Sequence, residues 1–126
     1  MCLVDAKIKK ITEDIVCYKV YYISFKGELV SPYIRSLAPN MNEITKTRLG
    51  EPYGIENYVE EGFHSFATLE DAVNEKENIL RHCHKVIVKC IIPKDSKCYI
   101  GTFGRRISYC SESIILKEIV NAIKSV

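Results

Sequence analysis

Two long stretches of mostly apolar residues, many of them β-branched or aromatic, predict the main strands of a β-sheet. The first runs from Ile15 to Phe25, and its alternate positions point to opposite faces of a sheet. Both sets of positions are mostly apolar, so this strand is predicted to lie in the middle of the sheet. The second stretch runs from Lys85 to Ile92 and ends at Pro93, which lacks the N–H group that a strand ladder needs.

Turn residues divide the remaining apolar positions into shorter predicted strands. Lys26-Gly27 predicts a tight turn, after which residues 29–31 return alongside the first strand. A short strand is predicted over 62–67. Two further strands, 97–103 and 107–109, complete the set.

A change in the spacing of apolar residues predicts one main helix. Between Leu69 and Leu80 the apolar residues recur every three or four positions, which is typical of an amphipathic helix over about 69–82. Thr68 and Asp71 stand where a capping box would begin that helix. The segment 113–125 fits either a last strand or a C-terminal helix, and both alternatives stay open.

The least regular part of the chain is 33–58, which is rich in proline, glycine and asparagine. Long loops inside compact domains often carry function. Within this loop, 43–49 fits either a short strand or one helical turn. The order of elements therefore predicts one domain over 1–126, of the α+β class, with a curved antiparallel β-sheet or a small open barrel.

The charge balance restricts the partners of the protein. The chain has 18 basic and 16 acidic residues, which is too balanced for a protein that binds extended nucleic acid. Small anionic ligands remain compatible, because two or three convergent cations suffice. Five arginines are the first candidates, since arginine grips phosphate with two parallel hydrogen bonds: Arg35, Arg48, Arg81, Arg105 and Arg106.

The expected location of the protein in the cell follows from two features that the sequence does not show. The first ten residues lack the apolar stretch of a secretory signal, and no apolar run approaches the roughly 18 residues of a membrane span. We therefore expect a cytoplasmic protein without a membrane partner, whose six cysteines are reduced thiols.

Two motifs suggest site chemistry but are incomplete. His82-Cys83-His84 contains metal-binding residue types, but a structural zinc site needs four ligands, usually in two spaced pairs. A cysteine–histidine hydrolase would combine His64 with a thiol, yet the spacing selects none of the six cysteines. We expect no metal and no cofactor.

The stronger candidate is a dispersed set of polar and aromatic residues beside glycine or proline. Nucleotide binding needs such groups: aromatic rings for the base, guanidinium and backbone N–H groups for phosphate, and hydroxyls for ribose. The alternative is that these segments are ordinary turns. The predicted ligand-binding residues are Tyr33, Arg35, His64, Ser65, Phe103, Arg105 and Arg106.

Four strings together resemble small phage and prophage proteins of Gram-positive and gut bacteria: 15–20 (IVCYKV), 31–33 (SPY), 62–66 (GFHSF) and 88–94 (VKCIIPK). Within that group the chain resembles the first family of phage anti-Thoeris proteins. The resemblance implies a non-enzymatic protein of the infected or lysogenic bacterial host, which sequesters cyclic ADP-ribose isomers without cleaving them. It also implies a homo-oligomer with pockets between subunits.

Two other classes of function compete with this interpretation. An NAD-using enzyme of the ADP-ribosyltransferase type would need a glutamate to polarise a ribose hydroxyl, and Glu112 is the best candidate. A protein-binding module without a small ligand would use exposed tyrosines at an interface. The candidates for that interface are Tyr53, Tyr58, Tyr99 and Tyr109.

Overall fold

The computed structural model describes residues 2–31, 38–78 and 84–120. Within these residues it has nine strands and one helix. In chain order they are β1 (Val4–Ile8), β2 (Ile15–Ile23), β3 (Leu29–Val30), β4 (Ile44–Lys46), β5 (Phe63–Phe66), α1 (Leu69–Asn78), β6 (Lys85–Ile92), β7 (Cys98–Phe103), β8 (Arg106–Ser111) and β9 (Ser113–Val120).

All strands belong to one antiparallel sheet with the order β1-β7-β8-β5-β2-β6-β9-β4, and β3 pairs with β2 beside this path. β1 and β4 lie at opposite ends of the order and do not pair with each other in the described part of the chain. The predicted α+β class with an antiparallel sheet is therefore confirmed, and the sheet does not close into a barrel.

β2 is the centre of the sheet, as its two apolar faces predict. It pairs with β6 along eight residues, from Ile15 opposite Ile92 to Tyr22 opposite Lys85. One face of β2 places Cys17 and Tyr21 in the larger core. The opposite face places Val20 in a second core, which α1 covers.

α1 begins where the sequence predicts. The Thr68 hydroxyl accepts a hydrogen bond from the Asp71 N–H at 3.1 Å, which caps the first turn. The helix packs its buried Ala72 against Val20, Phe66 and Ile87 of the sheet. Its described part ends at Asn78, and the last predicted positions, 79–82, lie outside the described residues.

Three elements refine or correct the sequence predictions. The segment 113–120 is a strand between β6 and β4, so the helical alternative is wrong there, while 121–126 lie outside the described residues. Of the two alternatives for 43–49, the short strand is right and forms β4. β1 is an additional strand, which the sequence pattern did not predict.

The interruption of β1 has a local cause. Asp5 has a φ of 54°, and the pairing of β1 with β7 shifts register between Val4 and Lys7. Asp5 and Ala6 donate their N–H groups instead to the carbonyls of Glu56 and Asn57, at 2.8 and 3.1 Å. This β-bulge breaks the alternation of polar and apolar positions by which a strand is identified in a sequence.

Candidate functional site

Three of the predicted ligand-binding residues lie together at the turn between β7 and β8. Gly104 and Arg105 both have positive φ, 56° and 68°, as a two-residue hairpin turn requires. The Phe103 ring packs against the Phe66 ring with centroids 6.1 Å apart. The Arg106 Nη1 atom lies 2.9 Å from the Glu75 Oε1 atom of α1 in a partly buried ion pair. Of the three predicted residues, Arg105 is exposed, whereas Phe103 and Arg106 are half-buried.

Two other predicted residues are interior parts of the sheet. His64 and Ser65 are consecutive on β5, are 7% and 1% exposed, and point to opposite faces. The Lys19 ammonium group donates a hydrogen bond to the His64 carbonyl oxygen at 2.5 Å. The remaining two predicted residues, Tyr33 and Arg35, lie outside the described residues.

A buried histidine–thiol contact tests the cysteine hydrolase hypothesis. The His64 Nε2 atom lies 2.6 Å from the Glu60 carbonyl oxygen and 3.7 Å from the Cys110 sulfur. Because a carbonyl oxygen only accepts, Nε2 carries the ring proton and has no lone pair to take a proton from the thiol.

Burial also moves the pKa values of His64 and Cys110 in opposite directions. It lowers the pKa of His64 to about 4, with the Lys19 charge adding to the effect, and it raises the pKa of Cys110 to about 12. The thiol therefore stays protonated at neutral pH, and this pair lacks an activated nucleophile.

A pocket of about 760 Å³ lies elsewhere, where four segments of the chain converge. We call it the four-segment pocket. Its volume is within the usual range for small-molecule sites. The lining residues are Ile8–Ile11, Thr47–Leu49 with Glu51, Asp95–Tyr99, and Glu112.

Backbone hydrogen bonds connect the segments that line the four-segment pocket. The Lys9 N–H donates to the Cys98 carbonyl and the Asp95 N–H to the Ile11 carbonyl, both at 2.9 Å. The Glu112 carbonyl accepts from the Thr47 N–H at 2.8 Å, and its carboxylate accepts from the Lys97 N–H at 3.1 Å. These bonds form the pocket without a ligand, so binding would cost little ordering of the chain.

The pocket carries both signs of charge. Its cations are Lys9, Lys10, Arg48 and Lys97, and its carboxylates are Glu51, Asp95 and Glu112. Within the described residues no ion pair joins any of these cations to any of these carboxylates. Arg48 lies 4.0 Å from Glu61 outside the pocket, in a contact that is largely exposed and therefore weak. The cations are thus available to an anion.

Apolar and aromatic groups complete the lining. Ile11 and Cys98 are buried beneath the pocket, and burial raises the pKa of the Cys98 thiol to about 12. Tyr99 is partly exposed, and its hydroxyl lies 3.5 Å from the Glu51 carboxylate. A ring beside lysines gives the combination of stacking surface and positive charge that a phosphorylated aromatic compound needs.

The four-segment pocket and the Arg105 turn are at opposite ends of the β7–β8 hairpin. Cys98 pairs with Ser111 at the pocket end, and Phe103 pairs with Arg106 at the turn end. Five residue steps separate the two ends, about 16 Å at roughly 3.3 Å per residue. The two groups of residues therefore belong to different places on the molecule.

None of the predicted ligand-binding residues within the described part of the chain lines the pocket. Glu112 and Tyr99 do line it, but the sequence predicts other roles for them, and arginines rather than lysines are the predicted phosphate ligands. The local signal in the sequence is weak: Lys9-Lys10 precedes the first predicted strand by several residues, and Lys97 is the first residue of the predicted strand 97–103. Which of them converge depends on the pairing of β1 with β7, and the sequence did not predict β1.

No group of three or more histidine, cysteine or acidic residues that could hold a metal ion is present in the described part of the chain. His82 and Cys83 of the His82-Cys83-His84 motif lie outside that part. The five described cysteines are all free thiols. Among the described residues, the structure has no helix with the length and apolarity that crossing a bilayer requires.

Comparison with known proteins gives no relative. No protein-family model, curated protein or solved structure matches the chain.

Proposed function

We propose that the protein binds and sequesters a small phosphorylated ligand of the nucleotide type, without cleaving it, in the four-segment pocket. The observation that carries the proposal is the presence of three pocket lysines, Lys9, Lys10 and Lys97, that form no ion pair with a carboxylate within the described residues. Desolvating such cations is favourable only when an anion takes the place of water.

The ligand class comes from two arguments of different kinds. The size of the pocket, its lysines and the Tyr99 ring suit a molecule with a phosphate and an aromatic base. The resemblance to phage anti-Thoeris proteins implies cyclic ADP-ribose isomers, which contain both. We extend the proposal accordingly to an anti-defence protein that acts in the bacterial cytoplasm as a homo-oligomer.

Isothermal titration calorimetry with cyclic ADP-ribose isomers tests the proposal. Replacing Lys9 and Lys97 by glutamine removes two charge-assisted interactions, each of about 1.5–3 kcal/mol, so the affinity should fall at least tenfold. The control is Lys26→Gln with Lys117→Gln, which removes the same charge from exposed positions that do not line the pocket. The control should bind like the wild type. If both double variants lose the same affinity, the loss comes from the change in net charge, and the assignment of the ligand to the four-segment pocket is wrong.

A second variant distinguishes the pocket from the predicted residues at the hairpin turn. Arg105→Ala removes the exposed guanidinium there without breaking the Arg106–Glu75 ion pair. We expect unchanged affinity. If Arg105→Ala weakens binding and the Lys9/Lys97 variant does not, the ligand site is at the turn.

One observation favours a second candidate function, because Glu112 lines the pocket. In an NAD-using enzyme of the ADP-ribosyltransferase type, this carboxylate would polarise a ribose hydroxyl. Incubation with NAD followed by mass spectrometry separates the two functions. Release of nicotinamide that is lost in Glu112→Gln supports the enzyme, whereas intact ligand recovered from heat-denatured protein supports sequestration.

A further inference from the structure

The carboxylates of the four-segment pocket need an explanation if the pocket binds a phosphorylated ligand. Glu51, Asp95 and Glu112 would repel a phosphate at close range, because like charges in a partly desolvated site disfavour each other. They are not neutralised by the pocket lysines within the described residues. A phosphate alone would therefore use only part of the pocket.

Two of these carboxylates retain hydrogen-bonding capacity. The Glu112 Oε1 atom accepts from the Lys97 N–H at 3.1 Å, and its second oxygen has no partner in the described part of the chain. The Glu51 Oε2 atom lies 3.5 Å from the Tyr99 hydroxyl, which is at the long limit of a hydrogen bond. Ionised carboxylates only accept hydrogen bonds, so a ligand that uses these oxygens must present donors.

Hydroxyl groups are the donors that fit this environment. An ammonium group would satisfy the carboxylates, but Lys9, Lys10 and Lys97 in the same pocket would repel it. Neutral hydroxyls meet no such penalty, and vicinal hydroxyls can donate to two acceptors at once. A sugar phosphate carries its anion and its hydroxyls on one small frame.

We propose that the four-segment pocket selects phosphorylated sugars by their free vicinal hydroxyls, which donate to Glu51 and Glu112 while the phosphate contacts the lysines. This inference rests on the proposed function and specifies which part of the ligand determines selectivity. Sites with acceptors for a ligand hydroxyl discriminate strongly against analogues without it, because the acceptors then lose their hydration and gain no donor.

Calorimetry with two matched probes tests the inference: adenosine 5′-monophosphate and its 2′,3′-dideoxy analogue. The wild type should bind the hydroxylated probe at least tenfold more tightly. In Glu51→Gln and Glu112→Gln this preference should fall several-fold, while the affinity for inorganic phosphate rises because a repulsive charge is lost. A variant that is merely destabilised would weaken all three ligands together. Glu28→Gln, at an exposed position outside the pocket, is the matched control and should behave like the wild type.

The outcomes separate this inference from the proposal beneath it. If the wild type binds both adenylates equally and the Lys9→Gln/Lys97→Gln variant weakens both, selection by hydroxyls is wrong and phosphate capture stands. If neither adenylate nor any cyclic ADP-ribose isomer binds, both proposals are wrong.

Discussion

His64 is buried, and one of its ring nitrogens has no hydrogen-bond partner among the described residues. Nε2–H donates to the Glu60 carbonyl, while Nδ1 is buried without a hydrogen bond in the described part of the chain. A buried acceptor without a partner costs about 1–3 kcal/mol. Protonation would give Nδ1 a proton but would bury a charge near Lys19, which the lowered pKa reflects.

The lowered pKa of His64 predicts loss of stability in mild acid. The folded-state pKa is about 4, below the ordinary value of 6.5, so the unfolded state binds the extra proton between these pH values. The stability that the folded state gains by keeping His64 neutral is fully present above pH 6.5 and is lost as the pH falls through 4. It amounts to on the order of 3 kcal/mol. Urea unfolding between pH 4 and pH 7 should therefore show a shallower pH dependence for His64→Gln than for the wild type. If the wild type and His64→Gln lose the same stability as the pH falls, His64 is not the group responsible.

The ion pair between Arg106 and Glu75 gives a second prediction at the scale of single residues. Both side chains are mostly buried, so Arg106→Ala removes a cation from a carboxylate that cannot be fully rehydrated. We expect a loss of about 2–3 kcal/mol in the free energy of unfolding. Arg105→Ala, one position earlier and exposed, should change it by less than about 0.5 kcal/mol. If Arg106→Ala changes the free energy of unfolding as little as Arg105→Ala does, the Arg106–Glu75 ion pair stabilises the fold no more than a surface contact would.

Among the elements, the junction of β1 with β7 depends on Gly101. A Cβ atom at this position would lie 2.4 Å from the Val4 carbonyl oxygen and 2.9 Å from the Leu3 side chain. Gly101→Ala should therefore push β1 away from β7 at a cost of about 1–3 kcal/mol. Because Lys9 and Ile11 follow β1 directly, the same variant should weaken ligand binding by the four-segment pocket. If Gly101→Ala loses the expected stability but binds the ligand as tightly as the wild type, the pocket does not depend on this junction.

The elements also show how far the sequence predicts the fold. β2, β6 and the start of α1 follow from local pattern, since each has a long run of suitable residues and a clear stop or cap. β1 does not, because Asp5 interrupts its alternation and turns its N–H toward another loop. The segment 113–120 remained ambiguous because its closely spaced isoleucines fit both a helix and a buried strand. Pairing with β6 and β4 decides between them, and pairing is not local information.

For the molecule as a whole, the same distinction applies to the candidate site. Clusters within one hairpin were visible in the sequence, and Phe103, Arg105 and Arg106 do lie together. The four-segment pocket was not visible, because its lining comes from parts of the chain that only the sheet order brings together.

The structure of a complex with a cyclic ADP-ribose isomer would show where on the protein the ligand binds. We expect ligand density in the four-segment pocket, with phosphate oxygens within hydrogen-bond distance of Lys9 or Lys97 and a ligand hydroxyl within hydrogen-bond distance of Glu51 or Glu112. Density at the Arg105 turn, with only solvent in the four-segment pocket, would show that the proposed binding site is wrong.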